Sequence, residues 1–255
     1  MKITERITET LAPFVLSRFV SDIRIGVRYV AVQLDDGSIG VAYVFPDSKH
    51  CKNISIFDGG DIVGKRASEL LRWLSTNNTL ARSVGLATVN AIAGLRQKNA
   101  LSGDVRSGVE FVSGERVAMI GYFEPLVKDI RNKCELNIYE LNTSLAKGLI
   151  ESSKAEEGLK NCDIALITST AIINGTVETL LEAATDCREV VILGPSTPLV
   201  AAAFEGTAVT MLSGVTIVDD QVLRVVSEGG GMKRFKPYVQ KFNIKLNKAE
   251  EPALK

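Results

Sequence analysis

Histidine is almost absent: a single residue, His50, stands in 255. A Ser-His-Asp or Cys-His mechanism would have to run through it, and no nucleophile-elbow motif accompanies it. A two-histidine-one-carboxylate metal triad is excluded within one chain. His50 lies in the polar loop PDSKHCKN and reads as a solvated loop residue. Cysteine is scarce too. Cys51, Cys134, Cys162 and Cys187 form no C-x-x-C, so neither a zinc ribbon nor a thioredoxin-type pair is present. Cys134 and Cys187 lead into expected strands, where cysteine behaves as a small hydrophobe. Excess charge of either sign is missing as well: Lys+Arg and Asp+Glu number 30 each. That balance argues against nucleic-acid or anionic-membrane partners, which select a basic excess. Long apolar runs are lacking: Ile164–Val177, Val190–Phe204 and Gly206–Val218 are charge-free but fall short of the ~18–20 residues of a membrane span. The opening MKITERITET has no apolar core, so no secretory signal is expected and the protein reads as cytoplasmic, its cysteines reduced.

What is present is an ordinary globular composition, 45% hydrophobic and 24% charged, long enough for one large domain or two smaller ones. Ile3, Ile7, Leu11, Phe14, Val15 and Phe19 recur at helical spacing, which predicts an amphipathic helix over 3–19. Strand-like runs at Ile23–Leu34 and Ile39–Phe45 flank Asp35-Asp36-Gly37-Ser38, a hairpin signal. Helical patterns follow at Ala67–Leu74 and Thr79–Gln97, the second rich in Gly and Ala and so able to approach a neighbour closely. Residues 1–108 thus read as a small α+β domain.

From residue 109 to 255 short apolar runs without alternation mark parallel strands covered on both faces: Arg116–Ile120, Leu136–Leu141, Ile164–Thr168, Val190–Leu193 and Val209–Leu212. Helices are expected between them: Lys128–Lys133 after Pro125, Ala155–Asn161, one capped by Asn174 or Thr176 and running to Ala184, one opened by Thr197-Pro198 and stopped at Gly206, and Gln221–Glu228 capped by Asp219. A further strand is expected around Val239–Phe242. Right-handed βα units of this kind build an α/β, Rossmann-like, doubly wound parallel sheet.

Such sheets bind ligands beyond the carboxyl ends of their strands, at the switch point. That edge receives Gly121-Tyr122-Phe123 after the first strand, where only one glycine of a G-x-G-x-x-G fingerprint is present. Glu124 stands at the next helix terminus, where its charge stabilises the helix and would repel a phosphate. Glu140 closes the second strand 19 residues later, placed either to accept from ribose hydroxyls or simply to face solvent, with Asn142 beside it. Thr168-Ser169-Thr170 and Asn174-Gly175-Thr176 form a polar strand-to-helix turn, and Pro195-Ser196-Thr197 repeats it after the fourth strand. Their hydroxyls and amides can serve as caps, as donors to an anion or heterocycle, or as both. Asn90 is either a satisfied core amide or a cleft residue.

The strings GYFEPLVKDI, IYELN, IALITSTAIINGTVETLL, VVILGPSTPL and VSEGGG, with IGVRYVAVQLDDGSIGVAYVF and LARSVGLATVNAIAG before them, resemble the heavy-metal-chelation family. The resemblance covers nearly the whole chain. It implies an enolase-N-terminal-like domain followed by a Rossmann-like domain, a cleft between them, and a role in metal handling. Soft metals select clustered thiolates and imidazoles, and these are scattered here. A transition metal would be held through a bound chelating cofactor, or by residues that the fold brings together. Three functions follow: a binding protein for a metal or a nucleoside- or pterin-like small molecule in the cleft; a transferase using a nucleotide- or S-adenosylmethionine-type cofactor; or an assembly protein with a vestigial site. The small-residue helix and exposed hairpin suit a homo-oligomer under all three.

Overall fold

A computed structural model describes residues 1–45, 61–94 and 100–246. His50 and Cys51 lie outside the described residues. Helix α1, Ile3–Leu11, buries Ile3, Ile7 and Leu11 on one face. It ends well before Phe19, because Pro13 opens a 3₁₀ turn over 12–14 and carries no N–H to extend the helix. Three antiparallel strands follow: β1 (Val20–Ile25), β2 (Tyr29–Leu34) and β3 (Ile39–Tyr43). The single run expected over 23–34 is therefore two strands, closed by the bond from Gly26 N to Tyr29 O. The turn at 35–38 forms as the sequence predicts, with Leu34 N donating to Ser38 O and Asp36 Oδ1 accepting from Ser38 N.

Helix α3 (Thr79–Gly94) covers this small sheet, and α2 (Ala67–Trp73) packs against α3. The small residues of α3 have a direct cause. Its backbone comes so close to β3 that a Cβ on Gly40 would collide with the Ala87 carbonyl oxygen and the Ala91 amide nitrogen. Asn90 is a core amide satisfied on one side: it is buried and its Nδ2 donates to Val41 O at 2.9 Å, while its Oδ1 has no hydrogen-bond partner among the described residues.

The larger sheet contains β4 (Leu101–Ser102), β5 (Arg116–Ile120), β6 (Glu135–Glu140), β7 (Ile150–Glu151), β8 (Ile164–Thr168), β9 (Glu189–Leu193), β10 (Met211–Ile217) and β11 (Val239–Lys245). Its order is β4-β11-β10-β9-β8-β5-β6-β7. The run from β7 to β10 is parallel throughout, while β11 and β4 add antiparallel strands at one edge. Numbered from β5, the parallel strands read 3-2-1-4-5-6, the doubly wound order, with the switch point between β5 and β8. Along β5 the side chains alternate as a strand requires. Val117 and Met119 join the core beneath α4 (Glu124–Arg131). Ala118 and Ile120 face the opposite core, with α5 (Ala155–Leu159), α6 (Thr170–Asn174) and α7 (Val177–Ala183). Helices α8 (Gln221–Ser227) and α9 (Met232–Phe235) complete the chain before β11. Asp219 Oδ1 accepts from Gln221 N, as its capping role predicts.

The helix expected after Thr197-Pro198 does not form; only a 3₁₀ turn at 201–203 does. Leu199 and Val200 are buried, and Leu199 packs over Gly214 of β10, so tertiary burial overrides the local capping signal. The two sheets share one hydrophobic core that includes Ile7, Val32 and Leu86 as well as Ala165 and Ile192. Polar links join them: Ile3 N to Glu178 Oε1 at 3.0 Å, Arg82 Nη1 to Ile173 O at 3.2 Å, and Tyr43 N to Ser196 Oγ at 2.8 Å. Among the described residues no helix is long and apolar enough to cross a membrane.

Candidate functional site

Beyond the carboxyl ends of β5, β6, β8 and β9 lies a cleft of about 440 Å³. Its floor begins at Gly121, whose φ of +92° places it in the left-handed region. A side chain there would be strained, and its Cβ would stand 3.0 Å from the Thr168 side chain. The reversal is held by the bond from Gly121 N to Tyr139 O at 2.8 Å. Thr168 and Thr170 share a hydroxyl–hydroxyl hydrogen bond of 3.0 Å, which fixes both at the mouth of the β8 turn. Asn174 Oδ1 accepts from the amide and hydroxyl of Thr176, at 3.1 and 2.8 Å, and bridges the break at Gly175 between α6 and α7. The helix expected from Asn174 or Thr176 to Ala184 is α7, with Thr176 at its N-cap position, and α6 is a further short helix that precedes it.

Glu140 has a structural occupation. Its Oε2 accepts from Tyr122 N at 2.8 Å, and its Oε1 from Leu141 N at 2.8 Å and Asn142 N at 3.3 Å. These bonds tie the ends of β5 and β6 together and leave the carboxylate little capacity for a ribose. Glu124 pairs with Lys233 at 3.6 Å on the surface, outside the cleft.

Of the sequence-selected residues, Gly121, Tyr122, Phe123, Glu140, Thr168, Ser169, Thr170, Asn174, Gly175, Thr176, Pro195 and Ser196 all line this one cleft. Asn142 and Thr197 do not. Asn142 folds its amide oxygen back onto Ser144 N and Oγ, capping its own turn. Thr197 is 1% exposed, and its hydroxyl is buried without a hydrogen-bond partner among the described residues. Ser169 and Ser196 are equally buried, so they support the floor from below, and the Ser196 hydroxyl is engaged by Tyr43 N.

The opposite wall comes from the small sheet. Tyr29, Tyr43 and Phe45 face the hydroxyl-bearing turns, and Phe123 adds an aromatic ring from the β5 turn. Tyr29 and Tyr43 meet edge to face at 5.7 Å, and Tyr43 and Phe45 at 5.2 Å. Phe235 supports Tyr29 from behind at 4.9 Å. Burial raises the Tyr29 phenol well above its ordinary pKa. The Tyr43 phenol is raised too, first by burial and then by the Glu140 charge. Both stay neutral donors at neutral pH. This wall was not read from the sequence, although a signal was available: Tyr29 and Tyr43 stand equally far from the Asp-Gly turn and so pair across β2 and β3.

The donor set of the cleft is hydroxyls, amides, aromatic rings and carboxylates, with no thiol or imidazole among its lining residues. Soft metals select the ligands that are missing, so the cleft does not fit a bare heavy-metal ion. Among the described residues no three His, Cys, Asp or Glu side chains converge to hold a metal.

Two family models, each described as "Putative heavy-metal chelation", match residues 104–245 and 9–93. The fold is similar to the crystal structure of a protein of unknown function from the same family in Pyrococcus horikoshii, with a TM-score of 0.83, 23% identity, and coverage of 96% of this chain and 100% of that one. A second such protein, from Desulfitobacterium hafniense DCB-2, aligns with a TM-score of 0.81 and 23% identity over 96% of this chain and 98% of the other. An uncharacterised protein of Methanocaldococcus jannaschii is 20% identical over 192 residues, 72% of this chain and 73% of its own length.

Proposed function

We propose, from the premise that the chain belongs to the heavy-metal-chelation family, that it is a cytoplasmic protein whose cleft binds a small planar organic ligand of the pterin-like kind. Chelation then belongs to the ligand, which brings a metal into the cleft as a complex. The observation that carries this reading is the pairing of an aromatic wall, Tyr29, Tyr43 and Phe45, with a floor of hydroxyls and backbone amides around Gly121 and Thr168. A flat heterocycle matches such a slot: its faces meet rings, and its edges meet donors and acceptors. The cleft volume of about 440 Å³ suits a ligand of that size. A nucleoside is matched less well, because Glu140 is engaged by three backbone amides and the glycine-rich fingerprint is missing.

Native mass spectrometry of tag-free protein, compared with the denatured mass, tests the reading. The expected result is a surplus of a few hundred daltons that is lost in Tyr43→Leu and Thr168→Val. Each substitution removes ring or hydroxyl contacts worth about tenfold in affinity. Absence of any surplus of that size in wild type, or one retained in full by both variants, would refute it.

A further inference from the structure

Two of the cysteines that are scattered in sequence meet in space. Cys162 lies two residues before β8 and Cys187 two residues before β9. These strands are adjacent and parallel with Ile164 opposite Glu189, so the two cysteines occupy matching positions at the amino ends of neighbouring strands. Their sulfurs are 3.1 Å apart, and each lies 3.4 Å from the carbonyl oxygen of Leu159 at the end of α5. Cys162 is 8% exposed and Cys187 is fully buried, and neither is in a disulfide. Cys162 also lines an open groove of about 510 Å³, with Glu157, Asn161 and Arg116 at its sides, which gives an entry path.

We propose that Cys162 and Cys187 form a two-thiolate site for a soft divalent cation of low coordination number, of which Hg(II) is the type, with the Leu159 carbonyl as a weak third donor. Two sulfurs and one oxygen at the corners of a small triangle offer three donors, where zinc takes four in a closed tetrahedral site. With metal–sulfur bonds of ~2.3 Å a trigonal ion sets its sulfurs ~4 Å apart. Starting from 3.1 Å, each sulfur moves outward by about half an ångström. Charge selects the valence. Two thiolates and a dication are neutral, whereas a monovalent ion leaves a buried negative charge beside the Asp163 carboxylate. Thiols carry their protons at neutral pH, and the unoccupied pair is two thiols in mutual hydrogen-bond contact. Loading therefore exchanges one M(II) for two protons, R–SH + R′–SH + M²⁺ → R–S–M–S–R′ + 2 H⁺. No electrons move. The site lies at the strand edge opposite the cleft and stands independently of the ligand proposed there.

Competition titration of the fully reduced chain with Hg(II), against a chelator of known affinity and protonation, tests the proposal in wild type and in C162S, C187S and C134S. One ion per chain is expected in wild type and C134S, with affinity rising about 100-fold per pH unit because two protons leave. C162S and C187S are expected to lose at least 1000-fold and to fall to a tenfold slope. Where a serine variant does not fold, Cys187→Ala keeps an uncharged side chain there and supplies the same readout. Zn(II) is expected to bind wild type no better than the serine variants do. A tenfold slope in wild type, unchanged affinity in either variant, or zinc held as tightly as mercury would each overturn the proposal.

Discussion

Replacing Ser196 by alanine tests whether the small sheet is anchored to the ligand edge as the geometry indicates. Strand β3 is the outer strand of its sheet, so the N–H of Tyr43 on its open side must find a partner elsewhere. That partner is Ser196 Oγ, 2.8 Å away on a residue only 1% exposed. Alanine removes the acceptor and leaves the amide with neither protein nor bulk water, and an orphaned buried donor costs about 1–3 kcal/mol. In a chain of this size each kcal/mol lowers Tm by ~2–4 °C, so a drop of about 2–12 °C is expected. The assays are thermal unfolding for Tm and equilibrium urea unfolding for the free energy, both followed by circular dichroism, with Ser227→Ala as control. The Ser227 hydroxyl bonds to Leu223 O on an exposed helix face, and its loss is expected to stay within about 0.5 kcal/mol. The same substitution loosens Tyr43, so occupancy of the cleft should fall along with stability. A Ser196→Ala protein as stable as the Ser227 control would show that the Tyr43 amide is solvated, and the anchoring argument would fail.

Gly40→Ala places a methyl group against the backbone of α3 at Ala87 and Ala91. Backbone cannot yield as a flexible side chain can, so a loss above about 3 kcal/mol is expected in urea titrations, and one below 1 kcal/mol would contradict the close approach of β3 and α3. Asp104 sits beneath Arg106, 2.6 Å away, and that hydrogen bond holds its carboxyl below the usual range despite partial burial. Its contribution is therefore complete above the carboxylate's unfolded pKa and is lost as pH falls through the lower folded value. Asp104→Asn should flatten that acid limb in unfolding measured from pH 5 downwards, and an unchanged limb would count against it. Tyr29 has the opposite sign, a phenol raised by burial. Its stabilisation is complete below the ordinary tyrosine pKa and is lost as pH rises through the higher folded value. In a spectrophotometric titration Tyr29→Phe should remove the last tyrosine to ionise; loss of an early one instead would be the contrary result.

The large sheet was legible because its strands are covered on both faces. Arg116–Ile120 and Ile164–Thr168 are apolar at nearly every position, which needs no periodicity to be read. The β7 strand was not found: two residues, Ile150 and Glu151, gain strand character only by pairing with Tyr139 and Glu140. The residues at the ligand edge were also legible, since a strand's carboxyl end is fixed once the strand is. What those residues do there was not. Asn142 and Glu140 are polar residues at the right edge, yet their hydrogen bonds turn to their own backbone. That choice depends on the exact course of the turn, which no spacing encodes.

Both groupings that the sequence reading missed arise from one relation, strand register, and register is a subtraction. Leu34 and Ser38 close the hairpin turn, so partners across β2 and β3 have numbers that sum to a constant, and Tyr29 falls opposite Tyr43. An aromatic wall follows from a turn that was already recognised. In the parallel sheet the difference is constant instead. Ile164 opposite Glu189 is a step of 25, and Cys162 to Cys187 is the same step. A spacing of 25 therefore scatters two thiols as text and stacks them as structure, because one βαβ repeat carries the chain back beside itself with its amino ends level. Side-chain clusters in α/β sheets are better sought at the repeat length than at the short spacings of zinc ribbons. By that measure the described residues hold one thiol pair, at the edge away from the cleft.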